Sequence, residues 1–252
     1  MWNKPHILNA IADLLILAAA AAVLAAGAVW LVRVPSLAVR EVVFTQELPH
    51  TRRAEIEETL PAALKGNFFS LNLEAVRSAM ERLPWVRKVE LRRTWPARLE
   101  VKIEEHRPVA HWGEGRGELV NTYGEVFAAN GPDEEMAALP MLYGPSGTAP
   151  EVLKRYAEFV GTFLQLGQKP VQVTLSPRLA WQLKLESGMF VEVGREQPKS
   201  PVGVRLQRFI DVYPDMVGKR ATRPAVVDLR YPNGFAMRVA GEVKGKQANE
   251  QR

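Results

Sequence analysis

The stretch Val89–Glu104, VELRRTWPARLEVKIE, predicts two strands joined by a turn at Trp95–Pro96. On both sides of the turn, apolar residues alternate with charged ones. Successive side chains of a strand point to opposite faces, so each run has one apolar and one charged face. The pattern therefore predicts an antiparallel hairpin that lies on a core. The apolar members are Val89, Leu91, Leu99, Val101 and Ile103.

The residues before this hairpin complete a small α/β domain of residues 37–107. Val39–Phe44 is rich in β-branched and aromatic residues and predicts a strand. Two runs with helical spacing of apolar residues follow, and Thr51 and Asn72 are placed to cap them. The predicted order is strand, helix, helix, strand, strand.

Residues 108–240 predict a second, mixed α/β domain with an antiparallel sheet, so the fold class is α+β. Helices are predicted to start at Pro150 and at Ser200–Pro201. The last two predicted strands, Ala225–Tyr231 and Phe235–Val239, are joined by residues 232–234. The polar stretch 241–252 is expected to be disordered.

An apolar run, Leu14–Val32, precedes both domains. It contains 19 residues without a charge and would span about 28 Å as a helix, close to the hydrocarbon thickness of a bilayer. The apolar core of a signal peptide is shorter and ends in a small-residue cleavage site, whereas this run continues to Arg33. We therefore expect an uncleaved transmembrane helix over 14–33 and a short tail over 1–13. Charge counting does not decide its orientation.

Composition excludes several kinds of chemistry. The chain has no cysteine, which rules out disulfides, thiolate metal sites and a cysteine nucleophile. Its net charge of +5 suits a protein held near an anionic membrane and is weak support for nucleic-acid binding.

No stretch meets the requirements of a catalytic, metal or cofactor site. His106 and His111 are five residues apart, an odd spacing that places them on opposite faces of a strand, so they are interpreted as surface or hinge residues. The glycines of 113–117 lack phosphate-loop spacing, and Ser146 lacks the G-x-S-x-G pattern of a nucleophile. The sequence predicts a non-enzymatic protein without a cofactor.

A basic cluster flanks the hairpin. A nucleic-acid stripe is one interpretation, but the cluster follows a membrane anchor, so a protein-interaction face or a charged protective edge is favoured. Its members are Arg87, Lys88, Arg92, Arg93 and Arg98.

The order and spacing of several short motifs resemble the FtsQ/DivIB family of bacterial division proteins over almost the whole chain. These motifs are Asn67–Asn72 (NFFSLN), Leu83–Val86 (LPWV), Arg93–Leu99 (RTWPARL), Glu105–Ala110 (EHRPVA), Leu139–Pro145 (LPMLYGP), Trp181–Leu183 (WQL), Tyr213–Pro214 and Val227–Tyr231 (VDLRY).

The resemblance implies a single-pass inner-membrane protein at the division septum, with a cytoplasmic N-terminus and a periplasmic bulk. Residues 37–107 would be a POTRA domain and 108–240 the family's β domain. The implied role is a scaffold that binds FtsB and FtsL and links early division proteins to septal peptidoglycan synthesis. Other division proteins would bind through the POTRA domain and the transmembrane helix.

The family's FtsB site is the terminal strand edge of the β domain, where the partner adds a strand. By motif match the site takes in a basic residue before Trp181 and the end of the chain's last two strands. Pro232 and Val239 depart from the residues common in the family at those positions. The implied contact residues are Arg178, Arg230, Tyr231, Asn233, Gly234, Phe235, Met237 and Val239.

Three alternatives stand beside this interpretation. Asp228 and Arg230 share one face of a strand, so they could simply pair with neighbours in the sheet. POTRA domains also occur in protein transport and outer-membrane assembly, but there they precede a barrel of many strands, and residues 108–239 have too few. A membrane-anchored periplasmic hydrolase would need a catalytic motif that the sequence lacks.

Overall fold

The computed structural model describes residues 5–33, 38–115, 117–219, 224–231 and 234–239. They form two compact units, divided along the chain between His106 and Arg107. Each unit has its own buried apolar cluster, and the predicted α+β class is confirmed.

The N-terminal helix α1 spans Pro5–Arg33 and begins well before the apolar run. Proline is favoured in the first turn of a helix because its missing N–H has no acceptor there. Residues 5–13 of the predicted tail are therefore helical. The segment Asn9–Trp30 is long and apolar enough to cross a membrane, the one such helix in the described part of the chain.

The rest of the first unit is a three-stranded sheet covered by two helices, in the predicted order. The sheet order is β1-β3-β2, with β1 parallel and β2 antiparallel to β3. Alternate apolar residues of the hairpin pack against the helices, as the sequence predicts. The elements are β1 (Glu41–Phe44), α2 (Arg53–Ala63), α3 (Leu73–Met80), β2 (Val86–Thr94) and β3 (Arg98–Glu105).

One of the two predicted helix caps is confirmed and the other is wrong. Asn72 caps α3, because its Oδ1 accepts a hydrogen bond from the amide of Ala75 at 3.1 Å. Thr51 does not cap α2, which begins after Arg52 without a side-chain cap. Instead the amide of Thr51 donates to the carboxylate of Glu105 at 2.7 Å, which ties the chain before α2 to the end of β3.

The second unit is built on a nine-stranded sheet. Its order is β12-β11-β10-β9-β8-β7-β4-β5-β6. The elements are β4 (Pro108–Trp112), β5 (Glu118–Asn121), β6 (Val126–Ala128), α4 (Asp133–Ala137), β7 (Met141–Tyr143), α5 (Ala149–Phe163), β8 (Pro170–Leu175), β9 (Ala180–Leu185), β10 (Phe190–Arg195), α6 (Val202–Lys219), β11 (Pro224–Asp228) and β12 (Ala236–Val239).

This sheet is mixed, a correction to the wholly antiparallel sheet expected for this unit. Among the described strands, β4 and β7, β7 and β8, and β10 and β11 run parallel. Parallel neighbours need a crossover connection. Helix α5 carries the chain from β7 to β8, and α6 carries it from β10 to β11.

Helices α5 and α6 supply apolar side chains to the same cluster as alternate residues of the central strands. The opposite sheet face carries mostly polar side chains, which line a shallow groove of about 200 Å³. Helices α5 and α6 therefore cover one face of the sheet, which is the arrangement of an α+β domain.

Candidate partner-binding edge

Strand β12 forms one edge of the large sheet. It pairs antiparallel with β11, with Val227 opposite Met237 and Asp228 opposite Ala236. No other described strand lies beside it. The outer side of β12 therefore presents backbone N–H and C=O groups that a strand from another protein could pair with.

The side chains of β12 hold this edge strand on the core. Phe235, just before the strand, and Met237 are partly buried against the apolar cluster. The ring of Phe235 meets that of Phe209 on α6 edge-on, with centroids 5.5 Å apart. Ala236 and Arg238 are exposed. Of the predicted contact residues, Phe235, Met237 and Val239 are thus half-buried and offer a partner mainly their backbone.

Arg230 follows β11 and forms a two-point ion pair with Asp228. Its Nε lies 2.9 Å from Oδ1 and its Nη2 lies 2.6 Å from Oδ2. The amide of Arg230 donates to the same Oδ1 at 3.0 Å. Hydrogen bonds from the Arg230 side chain hold the pKa of Asp228 below its usual value. The pairing anticipated as an alternative from the sequence is therefore present, although the Arg230 side chain is still 58% exposed.

Two residues of strand β10 also lie beside Arg230. Nη2 of Arg230 lies 3.3 Å from Oε2 of Glu192, which is directly opposite Asp228 in the parallel register. Gly194 adopts a φ of +81° at an irregularity of β10, and a Cβ there would lie 2.8 Å from Cγ of Arg230. The aliphatic part of Arg230 thus packs directly on the backbone of Gly194. Any other residue at position 194 would place its Cβ in the space that Arg230 occupies.

The other predicted contact residues between β11 and β12 differ in how accessible they are to a partner. Tyr231 is 54% exposed and is available to a partner. A Cβ on Gly234 would meet no atom within 4 Å, so no neighbour requires a glycine there. Asn233 lies outside the described residues, as does Pro232.

Arg178 lies in the turn between β8 and β9. The turn is closed by Ser176, whose Oγ accepts from the amide of Ala180 at 3.0 Å, and Leu179 has a φ of 57°. The Arg178 side chain is exposed and forms no ion pair with any residue in the described ranges.

Arg178 and Arg230 lie at the same end of the sheet. The start of β9 pairs with the end of β10, whose neighbour β11 ends at Asp228. Only β10 lies between β9 and β11, so these two strands are about 10 Å apart at the usual strand spacing. These pairings place Arg178, Arg230 and the start of β12 at the same end of the sheet.

The histidines considered in the sequence have structural surroundings. His111 is buried, contrary to the surface position expected, and its Nε2 lies 2.8 Å from the carbonyl oxygen of Met136. The amide of His106 donates to the carbonyl oxygen of Trp85 at 2.9 Å. Within the described ranges no three acidic or histidine side chains are grouped to hold a metal.

Sequence reasoning missed Glu192 and Gly194 as neighbours of Arg230. Their approach depends on the parallel pairing of β10 with β11, which no local pattern reveals. A signal for Gly194 was present, because glycine within an alternating strand often marks a bulge or a close backbone approach.

Comparisons with known proteins identify the family of both units. The family model "POTRA domain, FtsQ-type" matches residues 37–106, and "Cell division protein FtsQ/DivIB, C-terminal" matches residues 110–230. The cell division protein FtsQ of Burkholderia pseudomallei is 40% identical over 241 residues, covering 96% of this chain and 95% of that protein.

Two further relatives have the same name. The protein of Nitrosospira multiformis is 37% identical over 94% of this chain and 99% of its own length. That of Bordetella pertussis is 35% identical over 95% of this chain and 93% of its own. The second family match ends at Arg230, so β12 lies just beyond it.

Proposed function

Because the chain belongs to the FtsQ/DivIB family of cell division proteins, we propose that it is a non-enzymatic scaffold that binds FtsB and FtsL. In this role it links early division proteins to septal peptidoglycan synthesis. The observation that carries the proposal is the open edge of β12, with Arg230 and Tyr231 at its start.

The edge supplies affinity and the basic residues supply specificity. A strand from FtsB would complete the ladder of β12 through backbone hydrogen bonds, which carry little sequence information. Arg178, which has no ion pair in the described chain, is suited to a partner carboxylate at the same end of the sheet. Arg230 would meet a partner as part of its cluster with Asp228 and Glu192.

The proposed location is the inner membrane at the septum, with the first residues cytoplasmic and the two domains, 37–107 and 108–240, periplasmic. The long apolar helix α1 supports a single membrane crossing. Alkaline phosphatase fused after Val239 should be active, since the enzyme needs the periplasm. A stable, membrane-inserted fusion without activity would reverse the topology.

Site-specific photo-crosslinking tests the docking site. A photoreactive amino acid in place of the exposed Arg238 on β12 should crosslink FtsB in cells that produce the full-length chain. The matched control replaces Lys154, which is exposed on α5, and should give no FtsB adduct. If FtsB crosslinks to position 154 and not to position 238, the partner binds the helical face, and the proposed site on β12 is wrong.

A further inference from the structure

An exposed aromatic cluster lies on the first unit, outside the proposed partner edge. It consists of Phe68, Phe69 and Trp95 and is called the aromatic tip below. Trp95 is 65% and Phe69 is 43% exposed. Their ring centroids lie 6.3 Å apart, and Phe68, itself buried, contacts both rings edge-on at 5.4 and 5.8 Å. The two exposed rings are neighbours and form one apolar patch, and contiguous apolar patches are the kind of surface that can bind a protein or a membrane.

The tip is held in place by a tight turn before α3. The buried Asn67 accepts hydrogen bonds at Oδ1 from the amides of Phe69 and Ser70, each at 3.0 Å. Gly66 precedes it with a φ of +110°. From the hairpin side, Arg93 donates to the carbonyl oxygen of Leu71. The exposed rings are therefore fixed before any ligand arrives, which lowers the entropic cost of binding.

The tip lies where the chain enters this unit from α1. The amide of Arg40 donates to the carbonyl oxygen of Ala97 at 2.8 Å, and Glu41 is opposite Arg98 in the parallel register of β1 and β3. The entering chain thus meets the hairpin two residues from Trp95. The path from Arg33 to Arg40 is short, so their Cα atoms are at most about 25 Å apart.

This short connection limits how far the tip end of the unit can lie from the end of α1. Strand β2 is nine residues long and spans about 26 Å, so the opposite end of the hairpin lies a full strand length farther from the entry point. If α1 crosses the membrane, the end of the sheet with the aromatic tip is the end that is tethered close to the headgroup layer.

Two exposed side chains beside the tip have a charge of the sign that anionic lipids attract. Lys65 and Arg92 each precede a member of the tip by three residues and are exposed. Neither forms an ion pair within the described ranges. Tryptophan beside exposed basic side chains is the composition that favours the membrane–water interface.

We propose that the aromatic tip docks on the surface of the membrane that α1 crosses. Trp95 and Phe69 enter the headgroup layer, and Lys65 and Arg92 face anionic headgroups. The proposal rests on the membrane anchorage proposed above and is independent of the FtsB edge. Its consequence is that the first unit lies against the bilayer in a fixed orientation.

The test uses the full-length chain in vesicles of phosphatidylethanolamine and phosphatidylglycerol. Because the chain has no cysteine, Ala97→Cys next to the tip and Arg82→Cys at the far end of β2 each give one site for a fluorescent label. Lipids with a spin label in the headgroup region should quench the label at position 97 several-fold more than the label at position 82. Adding Phe69→Ser and Trp95→Ser to the Ala97→Cys protein should lower the quenching at position 97 several-fold, to the level that the connection to α1 alone produces.

Three outcomes overturn the inference in different ways. Quenching at position 97 that Phe69→Ser and Trp95→Ser leave unchanged, in a chain that resists carbonate extraction and still binds FtsB, removes the membrane docking alone. Protection of the label at position 97 that appears only when FtsB and FtsL are added makes the tip a protein interface. If carbonate extracts the chain from the vesicles, the chain is not anchored in the membrane, and the docking proposal fails with the anchorage.

Discussion

The guanidinium of Arg230 donates to both carboxylate oxygens of Asp228, two residues earlier in the chain. Arg230, the arginine expected to contact a partner at the proposed edge, therefore already has an ion-pair partner within the protein. With Glu192 nearby, the cluster carries one positive and two negative charges. A partner carboxylate that binds Arg230 would therefore have to displace Asp228 or Glu192 from its guanidinium.

The Arg230–Asp228 pair should contribute little to stability. Exposed ion pairs are typically worth about 0.2–1 kcal/mol, because solvent screens them and both side chains lose freedom. A double-mutant cycle of Arg230→Ala and Asp228→Asn, measured by urea unfolding, should give a coupling within that range. Binding should respond more strongly, with Arg230→Ala weakening FtsB binding. If Arg230→Ala binds FtsB as tightly as the wild type, Arg230 is a purely internal residue.

Acid should remove the contribution of Asp228. Its pKa is lowered in the folded chain, mainly by hydrogen bonds from Arg230. A lowered folded pKa means that the stabilisation is complete above the unfolded value, about 4, and is lost as the pH falls through the lower folded value. The difference in unfolding free energy between wild type and Asp228→Asn should therefore be constant from about pH 7 to pH 5 and shrink below about pH 4. A difference that grows on acidification would contradict this assignment.

Gly194→Ala should damage the site as well as the fold. The left-handed backbone costs a residue with a Cβ about 1–2 kcal/mol, and the new Cβ would also collide with Cγ of Arg230. Gly188→Ala is the matched control, because Gly188 has a similar φ of +83° but open space at its Cβ. Both variants should lose stability in urea unfolding, and Gly194→Ala alone should also weaken FtsB binding. If the two variants bind FtsB with equal affinity, the position of Arg230 does not affect partner recognition.

Two proline variants should distinguish the inner and outer sides of β12. The amides of successive residues in a strand point in opposite directions, so of Ala236 and Met237 one donates to β11 and the other faces the open edge. Proline removes that donor. One variant should lose stability, and the other should stay folded by circular dichroism but lose FtsB binding.

Met237→Ala controls for the packing that Met237→Pro also removes. If both proline variants are well folded and bind FtsB unchanged, the partner does not pair with β12.

Local pattern was sufficient for most elements. The β2–β3 hairpin followed from its alternation of apolar and charged residues, and α5 and α6 began close to the prolines that predicted them. These features depend on neighbours in sequence, which a short window contains. The cap at Asn72 is of the same kind. The prediction failed at Thr51 because α2 begins one residue later than expected, with Arg52 at the cap position.

The sequence was sufficient to predict which segment forms the proposed site. It was not sufficient to predict which residues surround Arg230 in the fold. The motif around Arg230 located the end of β11 and the edge strand. The contacts with Glu192 and Gly194 required the parallel pairing of β10 and β11, two strands separated by a whole helix. Such a pairing is fixed by the packing of α6 on the core, for which short-range periodicity contains no information.

The crossover through α6 also sets the order in which this sheet can assemble during synthesis. A strand cannot pair before the ribosome has made it, and β11 and β12 follow every other strand of the sheet along the chain. Until residue 224 and its successors have emerged, β10 is the outermost strand, and its free side faces outward in place of β12. A nascent or prematurely terminated chain would therefore expose a different edge from that of the finished protein, one without Arg230 or Tyr231.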